Sequence, residues 1–156
     1  PAFAQIVMFV LMFIGGCSGS TGGGIKVVRI AMLFKQALTE IRYQLFPRGI
    51  FPVHLGGQAV RKNVIYGVYA FVFLYLLIMF ATAVVVASGG YDILTSVTAS
   101  LATLGNIGPG FGLVGPTANY AHFPAYIKVA LSLAMMTGRL EVYTVLVLLT
   151  PSFWRR

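Results

Sequence analysis

Charge is what this chain has least of. Only 9% of its 156 residues are Asp, Glu, Lys or Arg, where an ordinary soluble domain carries roughly 25%. With 58% of the residues hydrophobic, a water-soluble fold of this size could not hide so much apolar surface, and the chain is placed among membrane proteins. Cysteine is scarcer still. Cys17 stands alone, so an internal disulfide is excluded, and in its glycine-rich surroundings it reads as a small packing residue. Basic residues are missing altogether from Ser88 to Tyr126, whereas Lys35, Arg42, Arg48, Arg61 and Lys62 lie between the first two apolar segments and Arg155 and Arg156 follow the last. The formal net charge of +8 is therefore distributed as topology rather than as a stripe that could track phosphates, and nucleic acid is not an expected partner. The positive-inside rule puts residues 35–62 and the C-terminus in the cytoplasm and residues 88–126 on the far side. No charged n-region with a cleavage site precedes the first apolar run, so no signal peptide is read, and the sequence is expected to be a piece of a larger polypeptide.

The apolar residues that are present arrange themselves into spans. Val64 to Ala87 is a charge-free run of 24 residues, and a helix rising about 1.5 Å per residue needs about 20 to cross the hydrocarbon. Ala125 to Thr150 is also long enough, although it carries Lys128, Arg139 and Glu141. Pro1 to Ile14 is too short alone and needs the following glycine stretch and Ile25 to Phe34 to complete it. The expected organisation is an interrupted helical segment over 1–46 with a glycine-rich intramembrane loop at 15–26, then a cytoplasmic connection over 47–62. A unit over 63–150 follows, consisting of a helix 63–88, a short helix 91–104, an extended stretch 105–112, an outer loop 113–123 and a helix 124–150, before a cytoplasmic tail 151–156.

The short helix is where function is sought. In YDILTSVTASLATLG the apolar Ile93, Leu94, Val97, Leu101 and Leu104 recur at helical spacing, interleaved with Thr95, Ser96, Thr98, Ser100 and Thr103, which makes an amphipathic helix too short to span. It ends in GNIGPGFG. Because the spans on either side already account for the crossings, the geometry implied is a re-entrant hairpin, and non-helical backbone at membrane depth is tolerated only where protein buries it or water lines it. Residues 105–112 are thus expected to face a pore, the plainer alternative being a Gly- and Pro-rich surface loop. A cation entering a membrane exchanges its hydration shell for other oxygens, and glycine lets successive carbonyls point the same way. Asn106, Ile107, Gly108, Pro109 and Gly110 have the apolar-Gly-x-Gly order of a potassium filter, with proline where tyrosine usually sits. Potassium coordination is expected at Asn106, Ile107 and Gly108.

The second chemical feature is MFIGGCSGSTGGGIKVVR, residues 12–29. Gly15, Gly16, Gly19, Gly22, Gly23 and Gly24 break a helix about 15 residues, or roughly 22 Å, into its path. The freed backbone groups must face protein or water, Ser18, Ser20 and Thr21 can satisfy some of them, and so many glycines leave little to hold one conformation. The stretch is a candidate gate. A competing idea is a phosphate-binding loop at Gly19 to Lys26, but that motif needs a strand before it and Ser or Thr after the lysine, where Val27 stands. Arg139, in MMTGRLEVY, lies mid-span, where a charge costs about 3 kcal/mol even on the gentler insertion scales, so it should face a cavity or a partner. Glu141 is about 200° away around the helix, which leaves freed carbonyls of the glycine loop as plausible acceptors and an interhelical salt bridge as the alternative. Lys26 and Arg29 are expected at the inner vestibule or interface.

Taken together, FIGGCSGSTGGGIKVVRI, TLGNIGPGFG followed by GPTANY, and GRLEVYTVLVLLTPSFW are similar to the C-terminal third of the TrkH-type subunit of the Trk/Ktr/HKT superfamily of potassium transporters, over essentially the whole chain. The resemblance implies an all-α polytopic membrane protein of potassium-channel-like helix–pore-loop–helix repeats, of which this fragment of a four-repeat pore supplies the second helix of repeat three and all of repeat four. It implies that Gly108 is the filter glycine of repeat four, with Asn106, Ile107 and Pro109 beside it. It implies also that Gly15 to Lys26 (Gly15, Gly16, Cys17, Ser18, Gly19, Ser20, Thr21, Gly22, Gly23, Gly24 and Lys26 among them) is an intramembrane gating loop, and that Arg139 meets it. The expected protein is not an enzyme. It sits in the bacterial inner membrane, carries potassium with no covalent cofactor, forms a homodimer and binds a cytosolic subunit that holds the regulatory nucleotide. Two rivals keep a place: an ion-coupled secondary transporter, since broken helices also build substrate sites in that class, and a nucleotide-binding membrane protein using residues 19–26.

Overall fold

The computed structural model describes residues 2–17, 19, 22–46, 48–49, 51–140 and 142–154. The first apolar run forms α1 (Ala2–Ile14), and the chain resumes helix as α2 (Val27–Leu45). Between α2 and the next helix lies a two-stranded antiparallel ribbon, β1 (His54–Leu55) paired with β2 (Gln58–Ala59). Its turn residues Gly56 and Gly57 both have positive φ, 57° and 84°, which glycine adopts without strain and which suits the right-handed twist of a tight hairpin. Lys35 Nζ donates to the His54 carbonyl at 2.8 Å, fastening the ribbon to α2. The Gly-Gly pair flanked by Leu55 and Gln58 carried this signal in the sequence, within a stretch read only as a connection.

The charge-free run becomes α3 (Lys62–Ala87), a helix of 26 residues that is long and apolar enough to cross a membrane. Ile65, Val68, Phe71, Tyr75, Met79, Ala83 and Val86 recur every three or four positions and are buried against the rest of the chain. The opposite face is apolar too, with Tyr66, Phe73, Leu77, Phe80 and Val84 exposed. A helix apolar all round fits an environment of lipid or neighbouring helices rather than water.

The short hydroxyl-rich helix is α4 (Ile93–Leu104). Asp92 caps it, accepting a hydrogen bond from the Thr95 backbone N–H at 3.1 Å, and hydrogen bonds from the Thr95 side chain and then its backbone hold this carboxyl below its ordinary range. Sequence periodicity predicts an amphipathic helix. In the structure every residue from Thr98 to Leu104 is buried, as are Thr95 and Ser96, because α3 and α5 (Ala125–Arg139) pack on it and the chain folds back along it. Most of its hydroxyls find acceptors: Ser100 donates to the Met79 carbonyl at 2.7 Å and also bonds the Thr82 hydroxyl, and Thr103 donates to the Ala99 carbonyl at 2.7 Å. Hydroxyls so satisfied add no burial penalty to a helix enclosed by protein.

The helix expected over 124–150 is instead two. α5 ends at Arg139, with Leu140 as its cap, and α6 (Val142–Leu149) and α7 (Pro151–Trp154) follow. The two segments serve different neighbours. α5 lies on α4 and α3, whereas α6 lies on α3, where Val142 is buried and the Tyr143 hydroxyl donates to the Gly67 carbonyl at 2.8 Å. Pro151 opens α7, where its missing N–H is no loss.

Candidate functional site

α4 terminates in a motif that aims its end at the proposed filter. The Ile107 N–H donates to the Ala102 carbonyl at 2.9 Å and the Asn106 N–H to the Thr103 carbonyl at 3.0 Å, the paired bonds that close a helix through a left-handed residue. That residue is Asn106, at φ 52°, and asparagine is the side chain that tolerates this conformation best after glycine. Its amide is used as well: Nδ2 donates to the Met135 carbonyl of α5 at 3.1 Å. The negative end of the α4 dipole therefore lies at Asn106 and Ile107, a favourable place for a cation.

Beyond the cap the chain has no regular secondary structure until a 3-10 turn over Gly112–Val114, so the extended stretch expected over 105–112 is instead a cap, an irregular return and the start of that turn. Gly108 has φ 105°, and a Cβ built there would meet no described atom within 4 Å. Gly108 is thus a glycine for backbone reasons with an open flank, and Ile107 and Pro109 beside it are exposed. Its carbonyl accepts a hydrogen bond from the Tyr120 hydroxyl at 2.7 Å. The rest of the return is stitched to α4 by threonines. The Phe111 N–H donates to Thr98 Oγ1 at 3.0 Å and the Leu113 N–H to Thr95 Oγ1 at 3.2 Å. Gly110 is buried so close to Thr98 that a Cβ would come within 3.1 Å of both its carbonyl and its hydroxyl oxygen. Thr95 and Thr98 thus bind the returning chain rather than water.

The glycine loop divides into a stem and a tip. The α1 and α2 ends meet at the stem: Gly15 and Gly24, at φ 75° and 90°, approach so closely that a Cβ on Gly24 would lie 3.3 Å from the Gly15 Cα, and the Val27 N–H donates to the Gly16 carbonyl at 3.1 Å. Gly23, Gly24 and Ile25 are buried. Cys17, Gly19 and Gly22, by contrast, are exposed. Ser18, Ser20 and Thr21 lie outside the described residues, as does Glu141. Lys26, which ends the loop, is intermediate in exposure and has φ 72°, a strained setting for a side chain larger than glycine. An α-helix, not a strand, leads into the loop, so the context that a phosphate-binding loop requires is absent. Among the described residues, no cluster of three or more His, Cys, Asp or Glu could hold a metal ion.

The two features touch. A Cβ at Gly23 would lie 2.8 Å from the Leu104 carbonyl oxygen and 2.9 Å from Asn106 Nδ2, and a Cβ at Gly138 of α5 would overlap that same carbonyl. Leu104 to Asn106 is therefore gripped from two sides by backbone, the loop stem on one and α5 on the other. Arg139 is the residue after Gly138 and is exposed. Arg29 stacks over the Phe71 ring, its guanidinium carbon 3.8 Å from the centroid, at a cavity of about 320 Å³ shared with Lys26 and Tyr143.

The comparison with known proteins is decisive for the family. The model of the family described as TrkH, cation transport protein, matches residues 1–156. The chain belongs to the TrkH family. The "Trk system potassium uptake protein TrkH" of Salmonella typhimurium is 39% identical over 99% of this chain and 32% of its own length. The protein of that name from Halomonas elongata is 40% identical over 100% of this chain and 32% of its own. In three dimensions the chain superimposes with a TM-score of 0.88 on the crystal structure of the potassium transporter TrkH from Vibrio parahaemolyticus, at 37% identity, covering 99% of this chain and 33% of that one. The chain thus spans about a third of the length of the TrkH proteins it matches, and the all-α membrane-transporter fold read from the sequence is the fold observed.

Two residues of this TrkH segment escaped the sequence reading. Gly138 stood in TGR as a lone glycine in a helical run, a signal that a packing partner exists but not which one. Tyr120 stood in GPTANY with nothing to tell it from an interfacial aromatic. Burial raises its phenol above the ordinary 10.0, so it remains a proton donor throughout the physiological range.

Proposed function

We propose that this segment is the last quarter, and part of the third, of a potassium-uptake pore, and that Asn106, Ile107, Gly108, Pro109 and Gly110 form its share of the selectivity filter. The observation that supports this reading best is the hairpin itself: a helix too short to span, closed at Asn106 with its negative end toward a non-helical Gly-Pro-Gly return whose Gly108 has an open flank. Carbonyls so placed can replace an ion's hydration shell. The relatives named as potassium uptake proteins support potassium as the cargo. In this reading the protein sits in the bacterial inner membrane with its C-terminus in the cytoplasm. It works as a homodimer, and a cytosolic subunit binds the regulatory nucleotide.

Gating falls to the loop of residues 15–26, in which Cys17, Gly19 and Gly22 are exposed, together with the positive charge of Arg139. The stem is fixed by the Gly15–Gly24 approach and by Gly23 against Leu104. Potassium flux into proteoliposomes holding the full-length protein tests both parts of the proposal. Excising residues 17–22 should raise that flux several-fold while leaving the potassium-to-sodium ratio as it was. A full-length protein that passes no potassium would end the reading, and an excision that changes the ratio but not the flux would end the gate assignment.

A further inference from the structure

We propose that Tyr120 is a positioning residue of the filter, setting the orientation of the Gly108 carbonyl from the outer loop. This rests on the reading of Gly108 as filter glycine. The peptide joining Gly108 to Pro109 has no N–H, so it cannot be tied into the backbone by a donor of its own. Proline locks the φ that follows this peptide, and the direction of the Gly108 carbonyl is then left to the torsions of a glycine, which carries no Cβ to narrow them. On either side the chain is anchored: the Ile107 N–H is bonded to Ala102 and the Gly110 N–H to the Val114 carbonyl at 2.7 Å. Among the described residues, the one hydrogen bond to the Gly108–Pro109 peptide comes from the Tyr120 hydroxyl.

Tyr120 is well placed to act as a fixed support. Its ring packs on Phe123 with centroids 5.8 Å apart, and Phe123 is buried, lying 4.7 Å from the Tyr91 ring and within the cluster that includes Val86, Ala99, Val114, Ile127 and Leu131. The phenol is thus mounted on the same core that seats α4, so the donor and the helix that precedes the filter share one reference frame. A carbonyl held this way presents a set dipole. Released, the carbonyl direction spreads with the Gly108 torsions, and the preference for an ion of one radius weakens while conduction persists.

The test uses the full-length protein in proteoliposomes, with the potassium-to-sodium flux ratio measured per inserted molecule so that a change in yield does not enter. Tyr120→Phe removes the hydroxyl and keeps the ring against Phe123. Gly108→Ser is run beside it as the test of the filter itself, and Val86→Ala as a perturbation of the same cluster that leaves Tyr120 and its Phe123 support in place. The expected result is a roughly three- to tenfold fall in the ratio for Tyr120→Phe, the scale of one neutral hydrogen bond, a fall for Gly108→Ser, and a wild-type ratio for Val86→Ala. If Gly108→Ser lowers the ratio and Tyr120→Phe does not, the positioning role is overturned and the filter stands. A fall with Val86→Ala as large as with Tyr120→Phe also overturns it, since packing alone would then account for the effect. If Gly108→Ser leaves the ratio unchanged, the filter reading fails and this inference with it.

Discussion

Gly138→Ala is expected to remove most of the folded, inserted protein, although helix propensity alone forecasts the reverse. Alanine is favoured over glycine by about 1 kcal/mol in a helix interior. Here the new methyl would overlap the Leu104 carbonyl, a backbone atom at the end of a buried helix that has no rotamer by which to move aside. Overpacking of this kind costs about 1–3 kcal/mol, occasionally more, and relief requires α5 to separate from α4, taking the Asn106–Met135 hydrogen bond with it. The steric term therefore outweighs the propensity term. Gly67→Ala is the matched control: Gly67 also lies inside a helix, but a Cβ there meets nothing within 4 Å, so the same chemical change should be neutral or slightly stabilising. Thermal unfolding in detergent, followed by fluorescence-detected gel filtration, compares the two; equal midpoints would refute the close approach of α5 to α4.

Arg139→Ala should act on rate instead of stability. Arg139 adjoins Gly138, and a Cβ on Gly138 or on Gly23 of the loop stem would meet the same Leu104 carbonyl; in the gating proposal the Arg139 charge is assigned to the cation path where loop and filter meet. At an effective dielectric of about 20, a cation about 6 Å from that charge is opposed by roughly 2 to 3 kcal/mol, which is more than tenfold in rate if fully expressed. Flux per inserted molecule should accordingly rise in Arg139→Ala and rise less in Arg139→Lys, which keeps the charge and loses the planar fork. A purely structural arginine forecasts something else, namely less inserted protein and an unchanged flux for each molecule that remains.

What the sequence made legible was whatever depends on neighbouring residues. The 24-residue charge-free run from Val64 to Ala87 is α3 almost to its ends, and the hydroxyl-rich helix followed by Gly-Pro-Gly is visible as a pattern because the helix and its glycine return adjoin in the chain. The glycine run was legible as a break for the same reason. Its division into stem and tip was not, since Gly23 is distinguished from Gly19 only by the Leu104 and Asn106 atoms that come to lie against it. The end of α5 at Arg139 was hidden in the same way: an apolar run through Thr150 favours one continuous helix, and only the separate attachments of Tyr143 to Gly67 and of α5 to α4 show why two segments form. The threonines were read as a polar face because a hydroxyl that bonds a returning chain looks no different in sequence from one that faces water.

The central claim is that Gly108 lines the path that tells potassium from sodium. At φ 105° with an open flank, serine at this position meets strain rather than a clash, so Gly108→Ser should disturb the carbonyls while the surrounding helices still fold. The most direct measurement is the potassium-to-sodium flux ratio of the full-length protein in proteoliposomes, wild type against Gly108→Ser. The account predicts a marked fall in the ratio with the variant still inserted, and a ratio equal to that of the wild type would contradict it.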